Sequence, residues 1–88
     1  MNFRRLERAV RGFSNHRRIQ ILDLLHRSPE LSVDEIAKVL KINFKTGAEH
    51  IRRLAITGLV LKRNEGHTVR HKLTPRALQV LKFLRTLE

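Results

Sequence analysis

Two helix-start signals close together restrict the fold of this chain more than any other feature. The stretch Ser-Val-Asp-Glu at 32–35 is a capping box, because the Ser32 hydroxyl can accept from the Glu35 amide while the Glu35 carboxylate accepts from the Ser32 amide. It begins a short apolar helix, 33–40, and only Lys-Ile separates this helix from a second N-cap at Asn43. Two helices joined by so tight a turn predict a helix-turn-helix.

Two helices are predicted before this corner and one completes it. Residues 3–13 carry apolar residues at helical spacing among arginines, and Asn15 is placed to cap a second helix that ends near His26. The apolar face of this second helix is broad, which favours a central position in the core. Beyond Asn43 the pattern predicts a helix over 44–57 with a polar, mostly basic outer face.

The period then changes from helical to alternating. Residues 59–63 and 68–73 predict the two strands of a hairpin over 59–73, with basic residues on and near its tip. Thr74 followed by Pro75 starts a final leucine-rich helix. The predicted fold is mainly α with a small β-hairpin: a winged helix-turn-helix of about five helices and a two-stranded wing.

The net charge of +11 over 88 residues is unevenly distributed. Residues 1–18 (six arginines less one glutamate) and residues 45–72 (seven Lys or Arg less two glutamates) each carry +5, whereas residues 19–44 carry −1 (three Lys or Arg less four acids). Ordinary solvation is one explanation, but a basic domain this small repels itself, which favours a polyanionic partner. Nucleic acid fits best, while an anionic membrane surface and an acidic protein stay open.

Composition excludes several classes of function. The chain has no Cys, so we expect no disulfide, no thiolate metal site and a reducing, cytoplasmic location. No apolar run approaches the roughly 18 residues of a membrane span, so residues 1–88 are expected to form a single soluble domain. His67 and His71 would lie about 13 Å apart on a strand, so no metal or other cofactor is expected. No group of residues suits catalysis, and the chain is not expected to be an enzyme.

Four segments, together with the order of the elements, carry a resemblance to a known family: HRRIQILDLL at 16–25, LSVDEIAKVL at 31–40, HIRRL at 50–54 and GLV at 58–60. Over roughly residues 13–88 the chain resembles the winged-helix domains of the ArsR-like (arsenic-repressor-type) transcriptional regulators. The resemblance implies DNA binding and pairing of two copies. It implies no metal regulation, because the metal-sensing cysteines of many members are absent.

Three neighbouring residues depart from the family pattern. Gly47 stands where an apolar β-branched residue is usual, Ala48 where a small hydroxyl is common, and Glu49 where a polar or basic residue often faces DNA. Gly inside a helix costs about 1 kcal/mol relative to Ala. We therefore expect Gly47 either to fray the helix or to allow a close approach to the preceding one.

If helix 44–57 enters a DNA major groove, its first turns hold the residues that read bases. The candidates are Phe44, Lys45, Thr46, Ala48 and Glu49. Lys45 suits the acceptors of guanine, Thr46 and Ala48 suit a thymine methyl, and Glu49 suits the amino group of cytosine. The alternative for Glu49 is a surface ladder in which it pairs with Lys45 and Arg53 at i, i+4 spacing.

Seven further residues are candidates for contact with phosphates, which would position the protein without reading sequence. They are Asn43, Arg52, Arg53, Arg63, His67, Arg70 and Lys72. The alternative for this set is ordinary solvation of a charged surface.

The first and last helices carry more apolar surface than one small core needs. Six residues are candidates for a two-fold interface: Phe3, Leu6, Val10, Leu81, Leu84 and Leu87. The corresponding helices pair in the regulators that the chain resembles. The alternative is that both helices simply close the core of one copy.

Together these patterns predict a homodimeric transcriptional regulator that binds a roughly palindromic site in double-stranded DNA. Two alternatives remain open: a winged helix that contacts an acidic protein, and a general nucleic-acid binder without an operator. The sequence identifies no small-molecule effector.

Overall fold

The computed structural model describes residues 1–88 and contains five helices and one two-stranded antiparallel sheet, which confirms the predicted winged helix-turn-helix. The elements are α1 (Phe3–Phe13), α2 (His16–Arg27), α3 (Val33–Leu40), α4 (Phe44–Ile56), β1 (Val60–Glu65), β2 (Thr68–Leu73) and α5 (Pro75–Arg85). Strand β1 runs further than predicted because Glu65 pairs with Thr68, which leaves only Gly66 and His67 in the turn.

The core is built around α2, as the breadth of its apolar face predicts. Ile21, Leu22, Leu24 and Leu25 are all buried, and the helix packs against every other helix and against β2. Burial of each such side chain stabilises the fold by about 1.5–3 kcal/mol. Helix α2 therefore determines how the other elements are arranged.

The helix-turn-helix corner forms through the caps that the sequence indicates. The Glu35 amide donates to Ser32 Oγ at 3.1 Å, and the Ser32 amide donates to Glu35 Oε1 at 2.9 Å. Helix α3 ends at Lys41, whose left-handed backbone (φ 57°) turns the chain sharply. Asn43 Oδ1 then accepts from the Lys45 amide at 2.7 Å and starts α4. Side-chain caps on backbone amides therefore fix the start of both helices of the corner.

The hairpin of β1 and β2, here called the wing, is attached to the chain just before α3. The register runs from Val60 opposite Leu73 to the tip of the hairpin. At the outer edge of β2, the His71 amide donates to the Leu31 carbonyl at 3.0 Å and the Glu30 amide donates to the His71 carbonyl at 2.9 Å. This short bridge holds the wing beside the helix-turn-helix.

Neither expectation for Gly47 is confirmed, because α4 is continuous through this residue and a side chain would fit there. A Cβ at Gly47 would lie 3.6 Å from both Ala37 Cβ and Ile42 Cδ1, which is ordinary van der Waals contact. The close approach occurs elsewhere, where α1 meets the end of α4. A Cβ at Gly12 would overlap the side chain of Thr57.

We expect Gly47→Ala to raise the free energy of unfolding by about 1 kcal/mol, because alanine removes the helix penalty of glycine without a clash. The melting temperature should rise by about 4–8 °C, measured by circular dichroism at one fixed protein concentration. Gly12→Ala is the matched variant, and it should lower the melting temperature because its methyl group meets Thr57. Stabilisation by both substitutions would contradict the close approach of α1 to α4.

Candidate nucleic-acid interface

Helix α4 presents the polar face that its sequence predicts. Ile51 and Leu54 are fully buried and Gly47 is buried beside them. The predicted polar and basic residues are exposed on the other side: Lys45, Thr46, Glu49, Arg52 and Arg53. Phe44 is also exposed, at 55%, and Ala48 is half-buried. All the predicted base-reading side chains except Ala48 are therefore open to a partner.

Glu49 is held by two arginines: Arg53, its predicted i, i+4 partner, and Arg52, which the ladder did not include. Its carboxylate accepts from Arg52 Nε at 3.0 Å, from Arg52 Nη2 at 2.7 Å and from Arg53 Nε at 3.0 Å. These hydrogen bonds, of which those from Arg52 have the largest effect, lower the pKa of Glu49 to about 2. Lys45 does not contact Glu49, so the predicted pair of Lys45 with Glu49 is wrong. A guanidinium can bind both carboxylate oxygens at once, whereas a lysine four residues before a glutamate has the weaker i, i+4 orientation.

The arginines of the wing are also paired with carboxylates. Arg63 and Arg70 lie opposite each other in the hairpin, where two like charges would repel. Glu65 Oε2 joins them, at 2.8 Å from Arg63 Nη2 and 3.1 Å from Arg70 Nε. Glu30 accepts from Arg63 through its side chain, and its backbone carbonyl accepts from Arg70 Nη1 at 2.9 Å. No local pattern indicates Glu30 as a partner, because it is distant along the chain from both arginines.

Several basic side chains near the wing and α4 have no carboxylate partner. Lys45, Lys72 and His67 are exposed and form no ion pair. The same is true of Lys62, which the sequence analysis did not include among the candidates. Asn43 is exposed while its side chain caps α4. These residues belong to the first turn of α4 and to the wing.

The first turn of α4 and the tip of the wing meet at one open groove. Phe44 from α4 and His67, Thr68 and Val69 from the wing line it, together with the start of α3. The fold therefore brings one predicted recognition residue, Phe44, and one predicted wing contact, His67, to the same groove.

Comparison with known proteins identifies this arrangement. No protein-family model and no curated protein matches the chain. Among solved structures, the transcriptional regulator HlyU from Vibrio vulnificus is 32% identical, with a TM-score of 0.78 over 98% of this chain and 90% of that one. HlyU from Vibrio cholerae is 30% identical, with a TM-score of 0.82 over 98% of this chain and 90% of that one.

A third similar structure carries the family name. It is the homodimeric winged helix-turn-helix DNA-binding domain Mb0332 from Mycobacterium bovis, described as a possible ArsR-family transcriptional regulator. It is 27% identical, with a TM-score of 0.86 over 97% of this chain and 79% of that one. The chain belongs to the ArsR-like family of winged helix-turn-helix transcriptional regulators. This family is not enzymatic, in agreement with the sequence.

The apolar residues predicted for a two-fold interface of this ArsR-like regulator divide into two groups. Five are exposed or half-buried: Phe3, Leu6, Val10, Leu84 and Leu87. Leu81 is only 4% exposed and belongs to the core cluster around α2, so its assignment to the interface is wrong. It faces α2 because α5 packs on α2. Phe3, Leu6 and Val10 form an exposed apolar stripe on α1, here called the α1 stripe.

The ArsR-like chain has no helix of the length and apolar character needed to cross a bilayer. It also brings together no group of three or more His, Asp or Glu in positions to hold a metal ion. His50 packs at the edge of the core, where its Nδ1 accepts from Arg18 Nε at 3.1 Å. Burial, followed by the nearby charge of Arg18, lowers the pKa of His50.

Buried His71 fixes the wing of this ArsR-like regulator to the rest of the fold. Its side chain is 1% exposed, and its Nδ1 lies 2.8 Å from the Leu31 carbonyl oxygen. Because a carbonyl only accepts, Nδ1 carries the proton in this contact. Burial lowers the pKa of His71 from its ordinary value of 6.5, while the bond to Leu31 acts in the opposite direction.

Stability should therefore decrease in mild acid. Since the unfolded chain takes up a proton at the ordinary pKa of 6.5 and folded His71 does so only at lower pH, the free energy of unfolding falls as pH drops through 6.5. The decrease stops below the folded-state pKa, and for one such group its slope is at most about 1.4 kcal/mol per pH unit. Melting temperatures measured between about pH 8 and pH 5 test this.

The control is His71→Asn, whose amide can donate to Leu31 without titrating. This variant should show a flatter pH dependence than the parent protein, whatever its absolute stability. An unchanged pH dependence would assign the titration to another group, with His50 the first to examine.

Proposed function

We propose that this ArsR-like regulator binds double-stranded DNA in a sequence-specific manner, with α4 in the major groove and the wing against the flanking backbone. The observation that carries the proposal is the groove at which Phe44, in the first turn of α4, and the tip of the wing come together beside the exposed polar face of the helix. The basic charge of residues 45–72, which include both elements, supports it. So does the similarity to Mb0332, which is named as a DNA-binding domain.

The proposed base contacts lie in the first turns of α4, the part of a recognition helix that meets base edges. They are Phe44, Lys45, Thr46, Ala48 and Glu49. Lys45 is the strongest candidate to read guanine, because its amine is exposed and unpaired. Glu49 already accepts three hydrogen bonds from Arg52 and Arg53, so its contribution to reading cytosine depends on where these two arginines lie when DNA is bound.

The proposed phosphate contacts are Asn43, Arg52, Arg53, Arg63, His67, Arg70 and Lys72. Lys72 and His67 are free to contact phosphate directly. Arg63 and Arg70 are held by Glu30 and Glu65, so they add positive potential to the wing and exchange these carboxylates for phosphates only on close contact.

We further propose that residues 1–88 act in the cytoplasm as one domain of a homodimer. The α1 stripe is exposed along its whole length, with Phe3 at 77%, Leu6 at 41% and Val10 at 51%. A second copy that covers this stripe, with Leu84 of α5 and Leu87 in the turn after α5, would remove it from water. A two-fold dimer matches a roughly palindromic site with half-sites about one helical turn apart.

Two substitutions on α4 should change duplex affinity in opposite directions. Arg53→Glu should weaken binding by about tenfold or more, because it replaces a phosphate contact with a repulsive charge. Glu49→Gln should strengthen binding to random duplex by roughly threefold to tenfold, because it frees two arginines from their carboxylate. Fluorescence anisotropy with random and selected duplexes, at several salt concentrations, measures both effects.

Arg27→Glu is the matched control, because it makes the same charge change on α2, outside the proposed contacts. It should leave duplex affinity close to that of the parent, and all three variants should melt normally. An Arg53→Glu variant that binds as well as the parent would remove α4 from the interface. Loss of sequence preference at high salt would favour the general nucleic-acid binder instead.

Leu6→Lys should convert the dimer to folded monomers, because it places a charge in the middle of the α1 stripe. Sedimentation velocity measures the change in mass. Val39→Lys is the control, since Val39 is exposed on α3 away from the stripe and its substitution should leave the dimer intact. A Leu6→Lys protein that remains dimeric would place the interface elsewhere.

A further inference from the structure

A cleft between α1, α2 and α4 is lined by eight residues, of which five are arginines. Its volume is about 380 Å³. The arginines that line it are Arg8, Arg11, Arg18, Arg52 and Arg53. No Asp or Glu is part of its lining. The cleft is a concave site of one charge sign, which focuses the attraction for anions more strongly than a flat basic surface does.

The cleft is formed by an unusually close contact of two helices. Gly12 in the last turn of α1 lies directly against Thr57 at the end of α4. Arg18 holds the two helices together: its Nη1 donates to the carbonyls of Arg11 and Gly12 at 3.1 and 3.3 Å, and its Nε donates to His50 of α4. These contacts fix the spacing of the two helices, and the exposed side chains of Arg8, Arg11, Arg52 and Arg53 project from them around the cleft.

The positive charge in the cleft is only partly balanced. Glu7 pairs with Arg11 at 2.9 Å, and Glu49 pairs with Arg52 and Arg53, both from outside the lining. Five arginines less two glutamates leave a charge of +3, and Arg8 forms no ion pair. Burial, and after it the nearby charge of Arg53, lowers the pKa of Arg18. The free protein therefore concentrates repulsion at this site, which a bound anion would relieve.

We propose that this cleft binds a phosphoryl group, held between Arg8 and Arg11 of α1 and Arg52 and Arg53 of α4. A planar guanidinium group can donate two parallel hydrogen bonds to two oxygens of one phosphate. The arginines of α1 and α4 offer such donors from two sides of the cleft. The phosphoryl group is either a backbone phosphate of the DNA outside the recognition site or a free phosphate compound. The first source rests on the proposed function, whereas the second does not.

The first experiment uses the protein without DNA. Pyrophosphate is titrated at constant ionic strength while amide shifts are followed by NMR, and saturable shifts are expected at Gly12, Arg18 and Thr57. Arg8→Gln should weaken this binding by about fivefold or more, because it removes the unpaired arginine of the site. Arg4→Gln, on the same helix but outside the cleft, is the matched control and should bind like the parent.

The second experiment identifies the source of the phosphoryl group. If DNA supplies it, Arg8→Gln should reduce the slope of log affinity against log salt by about 1 for duplex binding, and Arg4→Gln should not. If a free compound supplies it, the salt slope of Arg8→Gln should equal that of the parent. Any change in duplex affinity caused by pyrophosphate should then be matched by an equal change in pyrophosphate affinity caused by the duplex, because binding linkage is reciprocal.

The proposal is overturned if pyrophosphate gives no saturable shifts in the cleft and Arg8→Gln keeps the parent salt slope. Equal effects of Arg8→Gln and Arg4→Gln in both experiments would overturn it as well, because they would show only general attraction to a basic surface. A protein that binds pyrophosphate in the cleft but no duplex would contradict the proposed function and leave the cleft in place.

Discussion

The burial of one side of α4 against α2 is the constraint on which the rest of the surface depends. Ile51 and Leu54 are fully buried in the cluster around α2, and exposing them would cost about 1.5–3 kcal/mol each. The helix therefore cannot rotate about its axis, and Glu49, Arg52 and Arg53 must face outward. The corner before α4 fixes the remaining freedom, because Lys41 and Asn43 set the direction in which the helix leaves α3.

The elements of this fold could be predicted because their signals are local. The caps at Ser32, Asn43 and Thr74 act over three residues or fewer, so the sequence contains both partners of each hydrogen bond side by side. Local signals do not determine which leucines of the last helix are buried, as Leu81 shows. Leucines spaced by three residues drift around a helix, so the packing of α5 on α2 decides that Leu81 enters the core. Leu87 stays exposed in the turn beyond the last residue of α5, Arg85, although its spacing continues the helical pattern.

The candidate site was predictable in its exposure and not in its pairings. Which residues of α4 face solvent follows from helical periodicity, but the partners of Arg63 and Arg70 include Glu30, which only the folded chain brings close. These carboxylates give the proposed interface its own counter-ions. An arginine that leaves a carboxylate for a phosphate gains only the difference between the two interactions, so the paired arginines favour close, well-placed phosphates over distant ones.

Helix α1 links the two proposals that concern assembly and ligand binding. Its stripe is exposed for a partner copy, and its arginines line the cleft beside α4. Because Gly12 lies against Thr57 and Arg18 bonds to both α1 and His50, a shift of α1 cannot leave the end of α4 in place. An anion that draws the arginines of α1 and α4 together would favour one spacing of these helices. In a two-fold dimer, that spacing would also set how far apart the two recognition helices lie.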